Sequence, residues 1–138
     1  MPFVDANVFV YHLAADQKYG EKARKIIERI ENGEVSYTST LVIAQVCSYL
    51  KWKKREHVIP LFLSFLKGLT SLQKIETSML DFEEARNIQQ RYNLPWTMWD
   101  DMIIVAQMRR IGINEIYSND EDFDKIPQIK RIFQILNK

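Results

Sequence analysis

The strongest constraint on this chain is a repeated change of hydrophobic period along its length. Short apolar runs suited to strands alternate with longer segments whose apolar residues recur every three or four positions. FVD at 3–5 reads as a strand, and ANVFVYHL at 6–13 as the helix or turn after it. In 16–33, Ala23, Ile26, Ile27 and Ile30 share one face of an amphipathic helix, with Gly33 placed as its C-terminal cap. EVSYTST (34–40) reads as a strand, TLVIAQVCSYLKWK (40–53) as a mostly apolar helix, and REHVIPLFLSFLKG (55–68) as another. SLQKIET (71–77) is a third strand. The segment 78–93 opens with Ser78 and Asp81 at capping-box spacing. A turn at LPWT leads into WDDMIIVAQMRRIG (99–112), a buried helix ended by Gly112. NEIYS (114–118) is a strand, DEDFDKI (120–126) a short turn or helix, and KRIFQIL (130–136) a last strand.

Strands alternating with helices of ten or more residues predict an α/β fold. The expected sheet is mainly parallel and twisted, of four to five strands, with helices on both faces. No repeat or linker divides the pattern, and 138 residues suffice for one domain, 1–138. The longest apolar stretch, VIPLFLSFLKGL, is too short to span a bilayer and contains Pro60 and Lys67, so no membrane association is expected. No signal peptide is apparent and the single cysteine, Cys47, excludes an intramolecular disulfide, which predicts a cytoplasmic protein. Cys47 falls in an apolar helical pattern, the setting of an inert buried thiol. A net charge of +1 argues against a purely charge-driven nucleic-acid coat, though not against a local site.

In such a sheet, functional groups gather beyond the carboxyl ends of the strands. Three acidic positions map there from distant parts of the chain. Asp5 ends the first strand, Asp120 follows NEIYS with Asp122 and Asp124 close by, and Asp100 and Asp101 open the apolar helix. Carboxylates drawn together repel one another unless a cation lies between them, and an oxygen-only set suits Mg²⁺ or Mn²⁺. Each has a structural alternative. Asp5 can cap the following helix, and Asp120 can sit in a turn or a first helical turn. Asp100 follows Thr97 at capping-box spacing, so its expected role is structural and Asp101 is the better metal candidate.

The ordered elements resemble the PIN-domain nucleases, and among them the VapC-type toxin ribonucleases. The resemblance rests on Asp5-Ala6-Asn7 at the end of the first strand and YTSTLVIAQV before and within the middle helix. It continues with Asp101 heading an apolar helix with Ala106 five residues on, and Ser118-Asn119-Asp120-Glu121-Asp122-Phe123 followed by IPQIKRI. What the resemblance implies is a Mg²⁺-dependent endoribonuclease, with Mn²⁺ able to substitute, belonging to a toxin–antitoxin pair. Asp5, Asp101 and Asp120 would be catalytic metal ligands, with Asp122 a further ligand or holder of water. Asn7 and Ser118 would orient waters or phosphate oxygens. One position departs: the family places a Glu in the middle helix where this chain has Gln45. Gln45 keeps an oxygen able to meet a metal or its water, but removes a charge, so weak metal affinity and low activity are expected.

The resemblance also implies an RNA substrate, a cognate antitoxin and a homodimer. VIPLFLSFLKGL is apolar around most of its circumference, more than one buried face requires, so any exposed remainder would mark a partner surface. KWKKREH (51–57) reads either as an RNA-contacting patch or as cations complementing a helix end, and Arg109, Arg110, Lys130 and Arg131 are similarly open. Neither His12 nor His57 has a partner at ligand spacing. Two other readings stand beside the nuclease: an inactive PIN-like module that binds RNA or protein, and a phosphoryl-accepting receiver domain. The receiver needs an Asp ending a central strand, which LQKIETSML does not supply.

Overall fold

A computed structural model describes residues 1–135. Five strands form one sheet in the order β3-β2-β1-β4-β5, with every pairing parallel. They are β1 (Phe3–Val4), β2 (Ser36–Ser39), β3 (Leu72–Ile75), β4 (Glu115–Tyr117) and β5 (Lys130–Ile132). Between them run α1 (Ala6–Leu13), α2 (Gly20–Glu31), α3 (Thr40–Trp52), α4 (Ile59–Gly68), α5 (Met79–Tyr92) and α6 (Trp99–Arg110). From β1 the chain steps outward through β2 to β3, then returns across β1 to β4. Right-handed crossovers therefore put α1–α4 on one face and α5–α6 on the other. The direction of progression reverses between β1 and β4, and the crevice at their carboxyl ends is where such a fold holds a ligand.

Local chemistry accounts for the boundaries. Gly33, at φ 107°, closes α2 by donating to Ile30 O at 2.9 Å, while Glu34 N–H reaches Arg29 O at 3.2 Å. Gly112, at φ 72°, ends α6 in the same way, with Ile113 N–H on Met108 O at 2.8 Å. Both are Schellman closures, whose left-handed residue carries no Cβ penalty when it is glycine. At the start of α5 the Ser78 N–H donates to Asp81 at 2.8 Å, as the capping-box spacing predicted. Seven consecutive residues of α6, Met102–Met108, are buried, which explains why its apolar pattern shows no polar stripe.

Two expectations need correction. KRIFQIL pairs only over Lys130–Ile132; Phe133 is buried without pairing, and Leu136 lies outside the described residues. Thr97 does not cap α6: Trp96–Met98 form a 3-10 turn, Met98 is the N-cap, and no side chain caps the helix. Asp100 is thereby released from the structural role its spacing suggested. Among the described residues, no helix is long and apolar enough to cross a membrane.

Candidate active site

The carboxyl ends of β1 and β4 are tied together by a small polar network. Asp5 N–H donates to Tyr117 O at 3.0 Å, which sets the two strand ends side by side. The Asp5 carboxylate caps α1 through Ala6 N–H at 2.8 Å and accepts the Ser118 hydroxyl at 2.7 Å. Asn7 Nδ2 bridges Asp5 Oδ2 at 3.2 Å and Ser118 Oγ at 3.1 Å, and Asn7 Oδ1 accepts Asn119 N–H at 3.2 Å. Ser118 Oγ also accepts Asp120 N–H at 3.0 Å, and Asp120 Oδ1 accepts Asp122 N–H at 2.9 Å. Asn7 and Ser118, expected to orient waters or phosphate oxygens, here hold the Asp5 carboxylate and the backbone that carries Asp120.

Asp5 is 6% exposed, and among the described residues no cation pairs with it, since Ser118 and Asn7 supply dipoles rather than charge. Burial pushes its pKa up to about 6, against the pull of the Ser118 and Ala6 hydrogen bonds, with Asp120 and Asp100 adding repulsion. The cap and the charged-site readings of Asp5 thus describe one carboxylate using different oxygens.

Asp101, Asp120 and Asp122 are half-buried, and each offers an oxygen within 4.8 Å of the other two. At that spacing, with an effective dielectric of about 20, each ionised pair repels by roughly 3–4 kcal/mol. Asp101 registers this strain: burial first, then Asp120, Asp5, Asp122 and Asp100, raise its pKa to about 8. Of the three positions expected to bind metal together, Asp101 and Asp120 fall in this set. Asp122 completes it, and Asp5 lines the same cleft from outside it. Lys125 reaches Asp122 at 3.0 Å but is mostly exposed, so it can swing away without leaving a buried charge.

Gln45 projects from α3 into this cleft beside Asp100. Its Nε2 donates to Asp100 Oδ2 at 2.9 Å, while its buried Oε1 has no partner. An orphaned acceptor on a residue that lines a crowded carboxylate cleft fits a hydrated divalent cation, whose water could donate to it. Nothing along the chain signals the Gln45–Asp100 contact, which joins residues 55 apart. Nor does any local pattern signal that Trp96, Thr97 and Trp99 line the cleft.

Of the other candidates, Arg131 reaches the polar network, its Nη1 donating to Ser118 O at 3.4 Å, and the rest lie away from the cleft. Burial raises the Cys47 thiol, in line with an inert side chain. Arg110 pairs with Asp81 at 2.8 Å and Arg131 with Asp124 at 3.1 Å. Lys130 and Arg109 lie 3.9 and 4.0 Å from Glu115 and Glu84, so all four cations sit in or near intramolecular ion pairs. KWKKREH is exposed at the end of α3, with Lys53 over Trp52 at 4.7 Å. His12 packs on Phe65 at 5.7 Å, and His57 is exposed. Leu61 and Leu63 of α4 remain 66% and 43% exposed, the apolar remainder anticipated for that helix.

The chain is 29% identical over 134 residues to ribonuclease VapC13 of Mycobacterium tuberculosis, covering 96% of this chain and 99% of that one. Its fold is similar to the crystal structure of VapC20 from the same species, described as a sarcin-ricin loop cleaving toxin. There the TM-score is 0.75 at 18% identity, over 90% of this chain and 93% of that one. It is also similar to a chain of a toxin–antitoxin complex from Klebsiella pneumoniae, with a TM-score of 0.65 and 19% identity over 94% and 95% of the two chains. The PIN domain family model matches residues 3–129, from the strand that ends at Asp5 past the segment carrying Asp120 and Asp122, and the chain therefore belongs to the PIN-domain family.

Proposed function

We propose that this chain is a divalent-metal-dependent endoribonuclease, acting in the cytoplasm as the toxin of a toxin–antitoxin pair. The observation that carries the reading is the set of three half-buried carboxylates within 4.8 Å, beside a fourth, Asp5, buried without a cation. Asp101, Asp120 and Asp122, with Asp5, would hold Mg²⁺ or Mn²⁺, and Gln45 Oε1 would accept from its water. Such an ion lowers the pKa of bound water and offsets charge on a scissile phosphate. Asn7 and Ser118 fix Asp5, and the Asp120 N–H bond to Ser118 fixes the loop beyond β4. No side-chain nucleophile is required, consistent with an inert Cys47. The kinship with VapC13, and with a fold found in a toxin–antitoxin complex, supports an RNA substrate and an antitoxin partner. The exposed Leu61 and Leu63 support a contact on α4, either with a second copy or with that partner.

Millimolar Mn²⁺ is expected to raise the melting midpoint by several degrees, and Asp5→Asn or Asp101→Asn to abolish the rise. No shift in the native protein would sink the metal site. The Gln45–Asp100 contact favours one second reading, an inactive PIN-like module that binds RNA or protein. Cleavage of single-stranded RNA in Mn²⁺ separates the two, with Gln45→Glu expected to cleave faster. If both forms are folded and inert on varied RNAs, the binding module stands.

A further inference from the structure

Without its metal the acidic cleft repels the polyanion it is proposed to cut, so an uncharged contact at its rim would add attraction that the carboxylates do not supply. Trp96 is the one strongly exposed large apolar side chain lining that cleft among the described residues, with 56% of its surface open. Its position is fixed rather than incidental. Gln89 is buried, accepts Arg86 Nη1 at 3.0 Å and donates to Leu94 O at 3.1 Å, tying α5 to the segment that presents Trp96. Trp99 supports the ring at 5.6 Å, and the Arg86 guanidinium lies 5.6 Å from its centroid. Arg86 has no carboxylate within 4.0 Å among the described residues, whereas Lys125, beside the same acids, is paired with Asp122.

We propose that Trp96, backed by Trp99 and flanked by Arg86, is a stacking subsite for one nucleobase of single-stranded RNA next to the acidic cleft. The proposal rests on the ribonuclease reading of that cleft. The exposed part of the indole attracts any base irrespective of charge. The Arg86 guanidinium that lies over the ring, with no carboxylate partner among the described residues, can meet the neighbouring phosphate. A base in a duplex is already stacked on its neighbours, so the subsite selects unpaired nucleotides. Trp52 with Lys53 repeats the chemistry but sits by a different cavity, bordered by Tyr49, Lys53 and Arg55 and by none of the carboxylates.

The test uses a labelled single-stranded oligoribonucleotide, with binding measured in Ca²⁺ and cleavage in Mn²⁺. Trp96→Ala is expected to weaken binding about tenfold, with Trp96→Phe recovering most of it. Arg86→Ala is expected to weaken binding and flatten its salt dependence. In the native protein, an abasic nucleotide at one position should reproduce the loss, and Trp96→Ala should be indifferent to it. A melting midpoint and Mn²⁺ affinity kept in Trp96→Ala show that folding is intact. Equal affinity of native and Trp96→Ala proteins overturns the subsite. So does abasic sensitivity that survives the substitution, or a change of oligomeric state with no abasic effect, which would make Trp96 a protein contact. Native protein that binds with the abasic signature but never cleaves keeps the subsite and removes the nuclease. Native cleavage that Trp96→Ala leaves untouched does the reverse.

Discussion

Asp81 and Asp5 are both buried carboxylates near a helix start, and their surroundings are opposite. Asp81, 1% exposed, accepts Arg110 Nε at 2.8 Å and Nη2 at 3.0 Å, besides the Ser78 N–H. Burial pushes its pKa up, but the Arg110 and Ser78 hydrogen bonds overcome that and hold it below the usual carboxylate range. Asp5 has hydrogen bonds and no cation, and burial prevails. The first site is neutralised by the chain itself, since Arg110 joins the end of α6 to the start of α5. The second is left in need of charge from outside. Within one fold, then, the structural carboxylate is compensated by Arg110, whereas among the described residues Asp5 and Asp101 have no ion-pair partner and Asp122 has only the exposed Lys125.

The largest test of this contrast is to make Asp81 resemble Asp5. Arg110→Ala leaves a buried carboxylate unpaired and is expected to cost about 3 kcal/mol in urea denaturation. Little change would mean that the pair is decorative and the contrast empty.

An effect of similar size comes from pH. The folded-state values of Asp5 and Asp101, about 6 and about 8, lie above the ordinary 3.8, so the folded chain keeps protons that the unfolded chain has released. In EDTA, stability should fall as pH rises from about 4 to 8, by on the order of 2–3 kcal/mol from Asp5 alone. Asp81 has the opposite sign: its contribution is present above the unfolded value and is lost as pH falls through its lowered one. Saturating Mn²⁺ should cancel the alkaline decline, and Asp5→Asn should reduce it. A flat EDTA profile across that window would contradict the strain assigned to the cleft.

Smallest is Gln45→Glu, which replaces a donor to Asp100 with a like charge. Without metal it should lower stability by about 1 kcal/mol, and the loss should reverse in Mn²⁺. Stability unchanged in EDTA would show that Asp100 does not depend on the Gln45 amide.

Much of this was legible along the chain because it is local. Period changes marked the five strands and the six α-helices, and the glycines at 33 and 112 fixed two helix ends through their own backbone freedom. Asp5 and Asp120 stood out as candidates because strand ends point to one edge in a parallel sheet, and Asp101 because it heads an apolar helix. The Thr97–Asp100 spacing misled because an intervening 3-10 turn moved the N-cap to Met98. The last strand was read too long because Phe133 is buried by packing rather than by pairing.

By itself the sequence determined the order of strands and helices and which carboxylates stand at strand and helix ends, since these follow from side-chain period and capping over a few residues. Only the tertiary structure decided which of those groups meet. It closed Asp122 onto Asp101 and Asp120, turned Gln45 toward Asp100, and set Arg86 against Trp96 at the rim. Such contacts depend on how distant elements pack, and a one-dimensional pattern carries period and polarity but not the distance between faces that packing brings together.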